Sequence, residues 1–167
     1  VATDSLGNTS SPSTSTDNTV TRDTVGPTVT INQAGAQADP TNGSPINFTV
    51  VFNESTTTFA TGDVTLGGTA GATTAVVTGA GTTYNVAVSG MTGDGTVIAS
   101  LLANVATDGG GNPNAASTST DNTVTYDTTG PTVTINQAGA QADPTNASPI
   151  NFTVVFTEPV ANFVTGD

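Results

Sequence analysis

The sequence predicts an all-β protein whose complete unit is a seven-stranded antiparallel β-sandwich. Three observations support this fold class. Threonine, a β-branched residue that favours strands, occurs 37 times in 167 residues, and 19 glycines are available for turns. Apolar and polar residues alternate over short segments, as they do in strands with one buried face. Seven such segments fall within about 100 residues, a spacing that is typical of sandwiches.

The alternation locates the predicted strands in chain order. The clearest of them places Phe48 and Phe52 on one face. The seven predicted strands are residues 28–32, 46–53, 62–66, 73–78, 83–89, 96–101 and 118–126. Two alternatives stay open. Residues 97–106 also fit a short buried helix, because the periodicity of an apolar run does not distinguish a buried helix from a buried strand. Asp94-Gly95 fits a tight hairpin turn as well as a connection that crosses between the two sheets.

The chain repeats itself with a period of 104 residues. The string Gly-Pro-Thr-Val-Thr-Ile-Asn-Gln begins at Gly26 and again at Gly130. From residue 25 onward, 39 positions can be compared with those 104 residues later, and 8 of them differ. The first 24 residues differ from their counterparts at 7 positions. So long a period favours a row of separate domains over a solenoid, whose repeats are shorter.

The period divides the chain into three parts. Residues 1–24 are predicted to be the C-terminal end of one repeat, with its last strand. Residues 25–128 are predicted to be a complete repeat. Residues 129–167 are predicted to be the N-terminal part of the next, with its first two strands.

The charge balance excludes several classes of function. Thirteen acidic residues and a single basic one, Arg22, give a net charge of −12, so the chain offers no cationic face to nucleic acid or to an anionic membrane. Cys, His and Trp are absent, which removes most catalytic groups. No stretch approaches the roughly 18 apolar residues of a membrane span. We therefore expect no enzyme activity, no nucleic-acid partner and no membrane insertion in this segment.

Four strings resemble the bacterial immunoglobulin-like repeats. They are Asp-Thr-Thr-Gly-Pro-Thr-Val-Thr-Ile (127–135), Phe-Thr-Val-Val-Phe-Thr-Glu-Pro-Val (152–160), Thr-Gly-Asp-Val-Thr-Leu-Gly-Gly (61–68) and Val-Ala-Thr-Asp-Gly-Gly-Gly-Asn (105–112). The resemblance implies an immunoglobulin-like sandwich in a large tandem-repeat protein that is extracellular or on the bacterial cell surface, a group that includes adhesins. It also implies Ca²⁺ at the junctions between domains, where it stiffens related arrays.

The predicted strand order sends the acidic residues to the two ends of the complete unit, because alternate loops of an antiparallel sandwich share an end. One end receives an acid of the incoming linker and those of two loops: Asp23, Glu54, Asp63 and Asp108. The other end receives Asp39 and Asp94, next to Asp127 of the outgoing linker. If units stack end to end, that junction also receives Glu158 and Asp167 of the next repeat.

Carboxylates gathered without a lysine repel one another, and a hard divalent cation would relieve the repulsion. Ca²⁺ accepts six to eight oxygen ligands in flexible geometry, and carboxylates with loop carbonyls supply them. The nine acids just named are therefore the predicted metal ligands. The alternative is that they are solvated charges or turn formers, as Asp often is beside Gly; we assign Asp17 and Asp121 to that class.

Three functional hypotheses follow. The first is a structural repeat that acts as a spacer, stalk or fibre-building unit, with neighbouring repeats of the same chain as its partners. The second is a self-assembling filament subunit, in which the open third repeat is completed by another copy. The third is a ligand-binding adhesive module, which would show distinctive aromatic loop residues; the 6 Phe and 2 Tyr fall mostly at predicted core positions.

Overall fold

The computed structural model describes residues 1–166, which form β-strands and their connections. The strands are β1 (Val29–Gln33), β2 (Ile46–Thr56), β3 (Val64–Gly67), β4 (Thr74–Ser89), β5 (Gly95–Leu101), β6 (Thr123–Tyr126), β7 (Val133–Gln137) and β8 (Phe152–Phe156). Every strand pair is antiparallel. The prediction of an all-β, antiparallel fold is confirmed. Within these residues there is no helix that could cross a membrane.

Strands β1 to β6 form two three-stranded sheets that face each other as an open sandwich. One sheet has the order β1-β2-β4 and the other β3-β5-β6. The chain changes sheets between β4 and β5, so Asp94 lies in a crossing connection rather than in a tight hairpin. Residues 95–101 form β5, and this excludes the buried helix for that stretch.

A single span, β4, replaces two of the predicted strands, at 73–78 and 83–89. The backbone N–H of Thr73 donates to the carbonyl of Ser89 at 3.1 Å, although a straight strand of this length would separate the two by about 50 Å. A Cβ on Gly79, whose φ is +119°, would lie 2.6 Å from the Thr83 carbonyl oxygen. The two halves of β4 therefore fold back along each other, and a glycine is required where they meet.

The apolar faces of the two sheets form one core. On the first sheet its fully buried residues include Ile31, Ile46, Phe48, Val50, Val86 and Val88, and on the second Val97, Ala99 and Val124. At one end of the core the rings of Phe52, Phe59 and Tyr84 meet edge to face, with centroids 5.4, 6.0 and 5.0 Å apart. The Tyr84 hydroxyl lies 3.0 Å from the hydroxyl of Thr56, so the buried ring keeps a polar partner.

The segment before β6 closes the edge of the first sheet. Of the predicted strand 118–126, only β6 pairs within the second sheet, while Thr118 forms a parallel bridge with Thr30 of β1. The N–H of Thr118 donates to the carbonyl of Val29 at 3.0 Å. One segment thus contacts both sheets and covers the outer edge of β1.

Strands β7 and β8 reproduce β1 and β2 at an offset of 104 residues. Val133 pairs with Phe156 as Val29 pairs with Phe52, and the register matches along the five pairs. Their apolar face is open, because Ile135 is 65% exposed whereas Ile31 is 0% exposed. In residues 1–166 no third strand joins this pair.

Candidate metal centre at the entry of the complete unit

The connection between β5 and β6 forms a tight loop around Asp108. The backbone N–H of Asn112 donates to one carboxylate oxygen of Asp108 at 2.8 Å, and the Asn112 side-chain amide donates to the other at 2.9 Å. The N–H of Gly111, with φ +85°, donates to the Asp108 carbonyl at 3.3 Å. Residues 108–112 therefore close on themselves and hold the carboxylate in one orientation.

The same loop forms a second time, 104 residues earlier. Asn8 donates from its backbone N–H and from its side-chain amide to the two oxygens of Asp4, each at 2.9 Å. The intervening residues are Ser5-Leu6-Gly7 instead of three glycines. The loop is thus determined by the Asp and Asn four residues apart and by the glycine before the Asn.

The incoming linker is held against this loop by Gly26. A Cβ at Gly26 would overlap the carbonyl group of Pro113, so only glycine allows the linker to lie this close. Asp23, three residues earlier, accepts a hydrogen bond at 3.0 Å from the N–H of Val25. A Cβ on Gly110 would lie 3.6 Å from the Asp23 Cβ, which shows that linker and loop are in contact.

Three acids meet at this place. Asp23 of the linker, Glu54 near the end of β2 and Asp108 of the loop each bring a carboxylate oxygen within 4.8 Å of the other two. We call these three residues the acidic triad. Asp108 is buried, Glu54 is half-buried and Asp23 is exposed. In residues 1–166, no other group of three or more potential metal ligands brings its oxygen atoms this close together.

Within the triad, hydrogen bonds favour the charged form of Asp108. The side-chain and backbone hydrogen bonds from Asn112 hold the pKa of Asp108 below its usual value of 3.8, against an opposing effect of burial. The chain's one basic side chain, Arg22, is exposed. Three carboxylates at this spacing can supply one oxygen each to a hard cation, and the donor set is all oxygen.

Sequence reasoning named the three triad residues and one further ligand at this end, Asp63. The Asp63 carboxylate accepts the N–H of Ala60 at 2.7 Å and closes the turn at residues 60–63. It is not a member of the triad.

Three of the acids predicted at the opposite end accept hydrogen bonds from β6 or from the outgoing linker. Asp39 accepts the N–H of Thr125 at 2.9 Å. Asp94 accepts the hydroxyls of Thr129 and Thr128 and the Thr128 N–H, and these bonds lower its pKa. Asp127 accepts the N–H of Thr129 at 3.0 Å.

Two acids at this junction are the counterparts of triad residues. Asp127 and Glu158 correspond to Asp23 and Glu54. Together with Thr129 they line a cavity of about 330 Å³, whose other wall is formed by Ala38, Pro40, Thr41 and Asn42. The counterpart of Asp108 would be 104 residues further on, outside this sequence. Asp167, the remaining predicted ligand, lies outside the described residues.

Sequence reasoning missed the two asparagines that build the site. Asn112 orients Asp108, and Asn114, which is 2% exposed, organises the chain behind the loop. The Asn114 side chain accepts from the N–H groups of Val105 and Ala106 and donates to the carbonyls of Leu102 and Ala115. The only sequence feature that could have indicated these roles is the presence of two Asn residues in a Gly-rich turn. Exposed loops without a binding site often have the same composition.

No known protein family, no curated protein and no solved structure matches this chain.

Proposed function

We propose that the chain is a non-catalytic structural segment of a bacterial extracellular or cell-surface protein. It is built from immunoglobulin-like repeats of 104 residues and serves as a spacer, stalk or fibre-building unit. Ca²⁺ stiffens the junction where a linker enters a repeat. The observation that carries this proposal is that Asp23 of the linker meets Glu54 and Asp108 of the following unit within 4.8 Å.

The mechanism is electrostatic. Without a cation, three like charges repel, and the exposed linker residue Asp23 is the one free to move away. With a cation bound to all three, any swing of the linker would remove one ligand. The unit and the chain that enters it would then move as one body, and repetition would extend this stiffness along the array.

Ca²⁺ suits the donors better than other common metals do. The chain has no His or Cys, which are the ligands that Zn²⁺ prefers. Mg²⁺ demands near-ideal octahedral geometry, whereas Ca²⁺ accepts irregular sets of carboxylates, carbonyls and waters. The exposed position of Asp23 leaves room for water ligands.

The test is thermal unfolding of the 167-residue chain in Ca²⁺ and in a chelator. We expect saturating Ca²⁺ to raise the melting temperature of the complete unit by several degrees, since a ligand that binds only the folded state stabilises it. Glu54→Gln should abolish this increase. In chelator the same variant should melt no lower than the unchanged chain, because it removes repulsion.

The matched control is Asp121→Asn, an exposed acid outside the triad. It should retain the full Ca²⁺ effect. Equal melting temperatures in Ca²⁺ and in chelator for the unchanged chain would refute the metal site.

A second candidate function is a self-assembling filament subunit, and the open face of β7 and β8 favours it. The side chains of Val133, Ile135 and Phe152 are each more than half exposed. Another element would cover such a patch, either the remainder of the same repeat in a tandem array or a second copy in a filament.

A further inference from the structure

The loop between β1 and β2 of the complete unit contains the only Asn-Gly pair of the sequence, Asn42-Gly43. Both residues are exposed and lie outside the strands. The Gly43 N–H donates to the hydroxyl of Thr41 at 3.0 Å. This nitrogen is therefore held by one side chain in a local turn, a weaker constraint than the ladder of a paired strand.

Glycine after an asparagine favours one particular reaction. The backbone nitrogen of the next residue can attack the side-chain carbonyl carbon of the asparagine, provided that the backbone rotates to bring the two atoms together. A Cβ on the attacking residue hinders both this rotation and the approach. Glycine has no Cβ and reaches the widest range of backbone conformations, so Gly43 leaves the Asn42 side chain open to attack.

The chain contains a matched loop without this glycine. Residues 142–150 are identical to residues 38–46 except that Ala147 replaces Gly43. The Ala147 N–H donates to the hydroxyl of Thr145 at 3.0 Å, and the asparagine is exposed in both loops. The two loops thus share their turn and their neighbours in sequence, and they differ by one Cβ.

We propose that Asn42 is a site of spontaneous covalent modification, at which the side-chain amide becomes a carboxylate. The Gly43 nitrogen loses its proton to solvent and forms a bond to the Asn42 Cγ, which closes a five-membered succinimide ring. The Cγ–Nδ2 bond breaks, and the amide nitrogen takes a proton from water and leaves as ammonia. Water then opens the ring at either carbonyl group, giving aspartate or isoaspartate. No electrons are transferred, and water is the only other reactant.

The modification changes the contact between this loop and the outgoing linker. Thr41, the residue before Asn42, accepts the Asp127 N–H at 2.9 Å. Asn42 also lines the cavity shared by Asp127 and Glu158, and the described residues that line it include no basic side chain. The product adds a third carboxylate there, and like charges repel. The reaction therefore loosens the linker at this junction, an effect that goes beyond the proposed function and needs no metal.

The test is peptide mapping by mass spectrometry of the folded 167-residue chain, incubated in chelator at neutral and at mildly alkaline pH. We expect Asn42 to convert to a mixture of isoaspartate and aspartate. Conversion should be faster at the higher pH, because the attacking nitrogen must lose its proton. Asn146 should react at least about tenfold more slowly, a ratio that corresponds to about 1.4 kcal/mol of activation free energy.

Two reciprocal variants exchange the residue that follows each asparagine. Gly43→Ala should lower the rate at Asn42 to that of Asn146 in the unchanged chain. Ala147→Gly should raise the rate at Asn146 to that of Asn42. Because the same turn forms in this chain with either residue, neither substitution requires a new backbone conformation.

Asn42→Asp reproduces the charge of the product and tests its effect on the linker. We expect the Asp127 amide to lose protection against hydrogen exchange in this variant. The difference should shrink at high salt, which screens repulsion between exposed charges. Asn146→Asp adds the same charge in the matched loop and should leave the protection of the Asp127 amide unchanged.

Four outcomes would overturn the proposal. They are an Asn42 that stays intact, equal rates at Asn42 and Asn146, aspartate without isoaspartate, or unchanged protection of the Asp127 amide in Asn42→Asp. Aspartate alone would indicate direct hydrolysis by water instead of attack by the Gly43 nitrogen. All of these measurements are made in chelator, so their failure is distinguishable from a failure of the metal site.

Discussion

At the scale of single residues, two asparagines separated by one proline perform different tasks. Asn112 holds the Asp108 carboxylate in its charged form, and Asn114 satisfies backbone groups of two neighbouring segments. The three triad acids could be grouped from the sequence because loops of an antiparallel sandwich alternate between its ends. The asparagines could not, because their partners are backbone groups that only the folded loop brings near.

We expect Asn112→Ala to raise the pKa of Asp108 toward 3.8, because both of the largest effects that lower it come from Asn112. The folded-state pKa lies below the unfolded value, so the stabilisation is complete above about pH 3.8 and is lost as the pH falls through the folded-state pKa. Titration of the Asp108 side-chain carbonyl by NMR, in chelator, measures the change. The Asp4 carboxyl, bound in the same way by Asn8, should not shift, and equal movement of both would contradict this local cause.

Asn114→Ala should destabilise the complete unit by roughly 3 kcal/mol, since it leaves buried donors and acceptors without partners. Chemical denaturation of the full chain measures this loss. Asn42→Ala, at an exposed loop position, should change the free energy of unfolding by less than about 0.5 kcal/mol. Similar small effects for both variants would show that Asn114 is not structurally required.

At the scale of elements, the linker and the sandwich meet at one glycine. Gly26 has no room for a Cβ beside Pro113, whereas Gly35 has no atom within 4 Å of the position a Cβ would occupy. Gly26→Ala should therefore lower the free energy of unfolding by about 1–3 kcal/mol, and Gly35→Ala should have little effect. If Gly26→Ala unfolded at the same denaturant concentration as Gly35→Ala, the close contact would not exist.

The repeat provides a matched pair of positions on β1 and β7, one in the core and one exposed. Ile31 is 0% exposed and Ile135, its counterpart, is 65% exposed. Ile31→Ala should cost about 2–5 kcal/mol of unfolding free energy, because it leaves a cavity in the core, while Ile135→Ala should cost far less. The measurement is chemical denaturation at a concentration where the chain is monomeric. Equal losses would show that β7 is covered in solution.

At the scale of the whole molecule, the complete unit has its own core, so residues 25–128 are expected to fold alone with one cooperative thermal transition. Calorimetry of this fragment tests the expectation. Because the fragment lacks Asp23, its melting temperature should respond less to Ca²⁺ than that of the full chain. A fragment with no cooperative transition would contradict the description of the unit as an independent domain.

The sequence by itself determined the antiparallel all-β class and the approximate positions of most strands. It could do so because alternation of apolar residues has the period of a strand, and because successive strands reverse direction. Only the tertiary structure decided that β4 folds back on itself and that Asp94 lies in a crossing between sheets. It also decided which acids meet: Asp23, Glu54 and Asp108 come within 4.8 Å, while Asp63 and Asp39 bond to nearby backbone groups. Those outcomes depend on distances of a few ångströms between segments far apart in the chain, which no local pattern encodes.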